Sequence, residues 1–187
     1  SKESIDDNQR KIGSLFEEAD NYVKENEVLE NNVFDLTKDQ ERVTGATEKL
    51  RKLGGLRGKI SNKVSVITKE HKFFTDNTVC PTCTQAIEEE FRINKITDVQ
   101  SKAKELQSGY KELEEAIKNE EEREHQFTAL SKEITTLTHG ISKNNTRISG
   151  CQRQVRDLES EIQTITDKLA NRNTEHEKLK EYKSSLA

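Results

Sequence analysis

The stretch Thr75-Asp-Asn-Thr-Val-Cys-Pro-Thr-Cys-Thr84 decides the fold, because it holds the only proline of a 187-residue chain and two cysteines three positions apart. Pro81 has no N–H to give a helix and pushes the residue before it out of helical geometry. Asn77 suits a helix C-terminus, and Thr82-x-x-Gln85 has the form of a capping box that opens a helix. One helix is therefore expected to end here and another to begin. That reading divides the chain into a first arm, 1–78, a turn, 79–84, and a second arm, 85–187.

Both arms carry the apolar period of a coiled coil. From Ser1 to Leu50, heptad a and d positions run through Ile5, Asn8, Ile12, Leu15, Ala19, Tyr22, Asn26, Leu29, Val33, Leu36, Gln40, Val43, Thr47 and Leu50, and ten of the fourteen are apolar. After the cysteines, Ile96, Val99, Ala103, Leu106, Tyr110, Leu113, Ile117, Glu120, Glu124 and Phe127 continue the pattern, with eight of ten apolar. The phase then slips, and from Phe127 to Leu186 fourteen of eighteen seam positions are apolar. All three runs stand far above the 30% hydrophobic content of the chain. Disorder predicts no such period, so the expected class is all-α, a long antiparallel coiled-coil hairpin with the cysteines at its apex.

Two irregularities stand out. Gly45, Gly54, Gly55 and Gly58 crowd the first arm and predict an interruption over 45–58, after which apolar spacing resumes one residue out of phase through Leu53, Leu56, Ile60, Ile67 and Phe74. The slip near 120–127, beside Glu120 to Glu124, is the sequence form of a stammer and predicts a bend or soft spot. If the chain reverses between the cysteines, residue i faces roughly residue 163 minus i. Gly54 then lies opposite Gly109, and Gly13 opposite Gly150. The second arm is longer than the first, so its end is expected to lack a partner.

With 35% charged residues, one proline and neither tryptophan nor methionine, the chain has too little apolar material for a thick globular core. The absence of methionine and the opening Ser-Lys-Glu suggest a segment of a longer polypeptide. No apolar run approaches the length of a membrane span and no signal-peptide pattern opens the chain, which points to a cytoplasmic setting. Three cysteines in such a chain are no secreted disulfide framework, so the close pair reads as a metal or redox site.

Thiolates hold zinc tetrahedrally, and a structural site takes four protein ligands. Cys80 and Cys83 supply two. Cys151 falls on a seam d position far along the second arm and reads as a small core residue, His71 as a solvated neighbour of the tip, and Asn26 and His176 as polar seam residues that set register. The other two ligands are then expected from a second copy, so that one Zn2+ is shared by a homodimer across a two-fold axis. A redox dithiol is the rival chemistry, but Cys-Pro-Thr-Cys lacks the βαβ setting such sites use. A plain structural scaffold, with the cysteines incidental, is the rival class. Gly54-Gly-Leu-Arg-Gly-Lys-Ile-Ser61 fails as a phosphate loop, since Leu53 stands where the first glycine belongs and Ile60 separates Lys59 from Ser61. No catalytic constellation is present, and no enzymatic role is expected.

Lys49, Arg51, Lys52, Arg57, Lys59, Lys63, Lys69 and Lys72 form a basic shaft interrupted by the single acid Glu70, a local +7 in a chain of net charge -4. The facing stretch Phe91 to Glu114, with five bases and four acids, would not neutralise it. A solvated face balanced by acids elsewhere is the first expectation for such a cluster, and sequence-neutral contact with DNA phosphates is the other.

Two heptad arms around Cys80-Pro81-Thr82-Cys83 resemble the zinc hook of the SbcC/Rad-fifty family of SMC-like ATPases, which act with a nuclease in DNA double-strand-break repair. The stretch Val79-Cys-Pro-Thr-Cys-Thr-Gln-Ala-Ile87 is particularly similar to the T-even phage branch of that family, in the large subunits of recombination nucleases. The resemblance implies zinc-ligand roles for Cys80 and Cys83 alone, and ATP and Mg2+ only in head domains absent from this sequence. It further implies a repair nuclease subunit and double-stranded DNA as partners of the full-length protein, host cytoplasm as the setting, and the linking of two DNA-bound complexes or two arms of one complex as the function.

Overall fold

A computed structural model describes all of residues 1–187. The chain is all-α: α1 (Lys2–Arg42), α2 (Ala46–Asp76) and α3 (Glu89–Ser185), the last 97 residues long. There is no β-strand, only an isolated bridge between Val79 and Ala86. No helix is long and apolar enough to cross a membrane. The chain divides into two units, Ser1–Lys38 with Lys132–Ala187, and Asp39–Ser131.

In the first unit the seam of α1 meets that of α3. Every expected seam position from Ile5 to Leu36 is buried or half-buried, as is every one from Ile134 to Leu169. Cys151 and Val155 are the buried apolar residues and Asn8, Asn26 and Asn144 the buried polar ones, while the other seam layers are half-buried. Asn26 donates from Nδ2 to Asn145 Oδ1 and accepts at Oδ1 from Asn144 Nδ2, both at 3.0 Å. Asn8 donates to Glu161 Oε2 at 3.2 Å. These partners fall along α3 as positions rise along α1, so the two helices run in opposite directions here. A buried amide must find a partner or cost about 1–3 kcal/mol, so the asparagine layer admits one register. From Arg172 onward α3 is exposed at every position, as its surplus length predicts.

In the second unit the first arm breaks, but not over 45–58. The interruption is confined to residues 43–45, and α2 runs unbroken through Gly54, Gly55 and Gly58. The glycine that the break requires is Gly45, whose φ of +82° is left-handed. Ala46 rather than Thr47 is then buried, so the one-residue phase change happens at this joint. Arg123 fills the gap, donating from Nη2 to the carbonyl oxygens of Arg42 at 3.3 Å and Thr44 at 3.2 Å. Its Nη1 is held by both carboxylate oxygens of Glu120, at 3.0 and 2.8 Å, and Glu120 also reaches Lys49 Nζ at 3.7 Å. A guanidinium suits the negative end of α1, whose last carbonyls lack helical partners. The expected soft spot at 120–127 is thus occupied by a polar plug, and α3 stays helical through it.

Further toward the tip the seam is thinner. Val99, Leu113 and Ile117 are buried, but Ala103 is exposed between them, and on α2 Val64 beside it is 42% exposed and Leu56 49%. A cleft of about 480 Å³ lies between Val64, Ile67, Ala103, Leu106 and Tyr110. Ala103 is too short to close it.

The register also differs from the expectation. Val79 pairs with Ala86, Glu70 with Lys95, Lys49 with Glu120 and Gln40 with Ser131, placing each partner two to eight positions beyond 163 minus i. Gly54 and Gly109 therefore do not face each other, nor do Gly13 and Gly150, and a Cβ added at any of the four would meet nothing within 4 Å. The longer turn accounts for the offset of two at the tip, and the rest accumulates along the shaft.

Candidate metal centre at the tip

The non-helical segment is 77–88 rather than 79–84, with α2 ending at Asp76 and α3 beginning at Glu89. Asn77 ends α2 as its residue type suggests: its N–H and its side-chain Nδ2 both donate to Phe73 O, at 3.1 and 2.8 Å. The neighbouring carbonyl, Phe74 O, accepts from Arg92 Nη1 at 3.0 Å. Arg92 is oriented in turn by Glu89, which accepts from Nη2 at 2.7 Å and from Nε at 3.2 Å. Phe74 packs edge-on against Phe91 and Phe73. The end of α2 and the start of α3 are thereby tied together beneath the loop.

Above this tie the chain forms a small two-stranded ladder. Ile87 N donates to Thr78 O and Cys80 N to Gln85 O, each at 2.9 Å, and Thr84 N donates back to Cys80 O at 2.8 Å. Thr84 takes φ +62°, which turns the chain back into the ladder. The capping-box reading of Thr82-x-x-Gln85 is therefore incorrect, because the backbone of Gln85 is spent on closing the loop and no helix starts there. Pro81, Thr82 and Cys83 form the bend, where the missing N–H of Pro81 costs no ladder bond.

Both tip cysteines are free thiols, Cys80 half-buried and Cys83 exposed. The backbone N–H groups of Cys83 first, and Thr82 next, hold the Cys80 thiol below its ordinary range, with a further contribution from the Cys83 side chain. Hydrogen bonds to sulfur favour the thiolate, the form that ligates metal. Cys83 Sγ lies 3.9 Å from Gln85 Oε1 as a weak donor. Two soft donors on one short loop, one of them biased toward thiolate, suit half of a tetrahedral zinc site. No third His, Cys, Asp or Glu gathers with them, His71 included, nor does any other such group of three exist in the chain. Cys151 is buried in the first unit, where burial foremost and the Glu18 carboxylate next push its thiol up.

The eight cations of the basic shaft, from Lys49 to Lys72, are all exposed on α2. Lys49 pairs with Glu120, and Arg51 and Lys52 share Glu48 at 4.0 and 3.9 Å. Arg57, Lys59, Lys63, Lys69 and Lys72 have no acidic partner. The stretch of α3 facing them is Lys95 to Glu120, not Phe91 to Glu114, and it holds five bases and six acids. The polar features that sequence reasoning missed are Arg92 and Arg123. Each lies three residues after a glutamate, a spacing that is common on any charged helix and so gave no signal. No protein-family model matches this chain, and no curated protein matches it.

Proposed function

We propose that this chain is a non-catalytic, zinc-dependent dimerisation and tethering module. In this reading the helices form an antiparallel coiled-coil hairpin, and Cys80 and Cys83 stand on its apex loop as half of a metal site. Two copies complete the site by meeting tip to tip, each giving two thiolates to one shared Zn2+. When bound, zinc would supply a reversible coordinate cross-link between two otherwise separate loops. The observation that carries the reading is the pair of free thiols on a loop closed by Cys80 N to Gln85 O, with no third ligand of the same chain beside them. A site with two protein donors is incomplete, and an isologous partner is the simplest way to double them.

The chain's own residues do the positioning. Arg92 and Asn77 fix the end of α2, the ladder between Thr78 and Ile87 fixes the loop, and the backbone N–H groups at Thr82 and Cys83 favour thiolate at Cys80. The resemblance to the SbcC/Rad-fifty hooks extends the proposal. The module would link DNA-bound complexes, or the two arms of one complex, of a repair and recombination ATPase working with a nuclease subunit in the cytoplasm. ATP and Mg2+ would act in head domains outside this sequence.

Sedimentation of the chain with stoichiometric zinc, with and without chelator, tests the reading. A dimer that falls to monomer with chelator, and is absent in Cys80→Ser and Cys83→Ser variants of unchanged helicity, supports it. A dimer that survives both treatments would mean a plain scaffold in which the cysteines are incidental.

A further inference from the structure

The shaft between the joint at Gly45 and the tip carries a charge distribution that folding stability does not explain. Between Lys49 and Lys72, eight cations meet one acid, a net +7, and Glu70 is itself engaged by Lys95 at 3.9 Å. Since the whole chain carries -4, the remainder carries -11, the difference between the two. Charge is thus segregated, not merely abundant. Helices stabilised by their own surface charges place opposite signs three or four residues apart, as Asp20 and Lys24 do on α1 at 3.0 Å. From Arg57 to Lys69 α2 offers no acid at all.

Nor does α3 compensate. Of the six acids from Lys95 to Glu120, only Glu120 makes an ion pair with a cation of α2. Asp98, Glu105, Glu112, Glu114 and Glu115 make none. Lys52, Lys59 and Lys63, at helical spacings of seven and four, share one side of α2, with Arg51, Lys69 and Lys72 on another. Between them Gly55, Gly58, Ser61, Asn62 and Ser65 are short and neutral, Leu56, Val64 and Val66 are exposed and uncharged, and Glu105, which lines the same groove as Lys63, forms no ion pair with it. Like charges crowded in this way repel one another, and an external polyanion relieves that repulsion. Acids elsewhere on the chain do little against it, because beyond about 10 Å at 0.1 M salt their field is screened.

We infer that α2 between Lys49 and Lys72 is a binding site for the phosphate backbone of duplex nucleic acid, held without regard to base sequence. The structure offers cations on more than one side of α2 but no concave pocket of hydrogen-bonding groups that would read base edges, which fits backbone contact alone. The five unpaired cations set the scale: five phosphate contacts release about that many counterions. This inference is independent of the zinc reading, since none of these residues lies on the loop.

The experiment uses the full chain carrying Cys80→Ser and Cys83→Ser, so that loss of tip dimerisation cannot be confused with loss of binding. A fluorescent duplex of about 30 base pairs is titrated by anisotropy from about 50 to 200 mM salt. We expect a slope of log K against log salt of about -4 to -5. In Lys59→Glu/Lys63→Glu/Lys69→Glu the affinity should fall at least about tenfold and the slope should flatten by about three. The same charge change placed outside the shaft, Lys2→Glu/Lys11→Glu/Lys180→Glu, should alter affinity less than about threefold. Undetectable binding at the lowest salt, or equal loss in both triple variants, would overturn the inference. So would displacement of the duplex by polyglutamate at matched charge, since the site would then serve acidic protein segments rather than nucleic acid.

Discussion

Arg92 on the first turn of α3 donates to the carbonyl oxygen of Phe74 in the last turn of α2, at 3.0 Å. Together with the Phe74–Phe91 contact, this bond ties the base of the cysteine loop, because the two helix ends it joins are where the loop enters and leaves. Glu89 orients the guanidinium, and Arg92 in turn holds the Glu89 carboxyl below its usual range. A depressed carboxylate contributes stability that is present above its unfolded pKa and lost as pH falls through the folded value. We predict that Arg92→Ala speeds amide exchange at Cys80 and Ile87 several-fold with little change at Val99. Acidification below the carboxylate range should lower the protection of the same amides, taken relative to their intrinsic exchange rate, in the unmodified chain. Equal exchange in the two proteins would show that the tie does not hold the loop.

The glycines of the first arm should separate into two kinds. Gly45 has positive φ with open space around it, so Gly45→Ala pays for backbone conformation alone, about 1–2 kcal/mol of lost stability. Gly54 and Gly58 are helical, and an added Cβ meets nothing. Gly54→Ala or Gly58→Ala should therefore stabilise by about 0.5–1 kcal/mol. Denaturant melts of the three variants check this, and a loss at Gly54 matching that at Gly45 would contradict it.

The asparagine layer predicts a different pair of outcomes. Asn26→Ala leaves the Asn144 amide, 3% exposed, without its acceptor and should cost about 1–3 kcal/mol. Asn26→Leu with Asn144→Leu should recover that stability yet loosen the choice of register and partner number. Thermal melts with sedimentation would show it, and a double variant as unstable as the single would remove the asparagine pair as the cause.

The three cysteines should differ in reactivity. In metal-free chain, iodoacetamide should modify Cys80 and Cys83 quickly, while Cys151, 6% exposed and with its thiol pushed up, reacts at the rate of local unfolding. Peptide mapping over time distinguishes them. Modification of Cys151 as fast as the tip would mean that its layer of the seam is open.

The seam was legible almost residue by residue, since a heptad pattern records burial directly: Ile5 through Val43 and Phe127 through Leu169 are the positions that lose exposure. Ala103 and Thr47 are exceptions inside the paired region, Ala103 because its volume is too small to fill the layer and Thr47 because the phase shifts to Ala46, and the seam positions Arg172, His176, Leu179, Lys183 and Leu186 stay exposed. Both phase irregularities were visible too. That they belong to one joint was not, because Gly45 and Arg123 are 78 positions apart and only folding brings Arg123 to Thr44 O. Gln85 misled for a similar reason: its type suits a helix start, while its backbone is used by Cys80. The tip cysteines were read from spacing, but the N–H groups that favour thiolate at Cys80 depend on the conformation of the bend, which no spacing records.

The central claim is that the metal site does not exist within one chain, and the direct test is a count of zinc against mass. Chain loaded with excess zinc and then freed of unbound metal should carry one zinc for every two chains and sediment as a dimer. One zinc per chain on a monomer, or a dimer that holds none, would contradict the account.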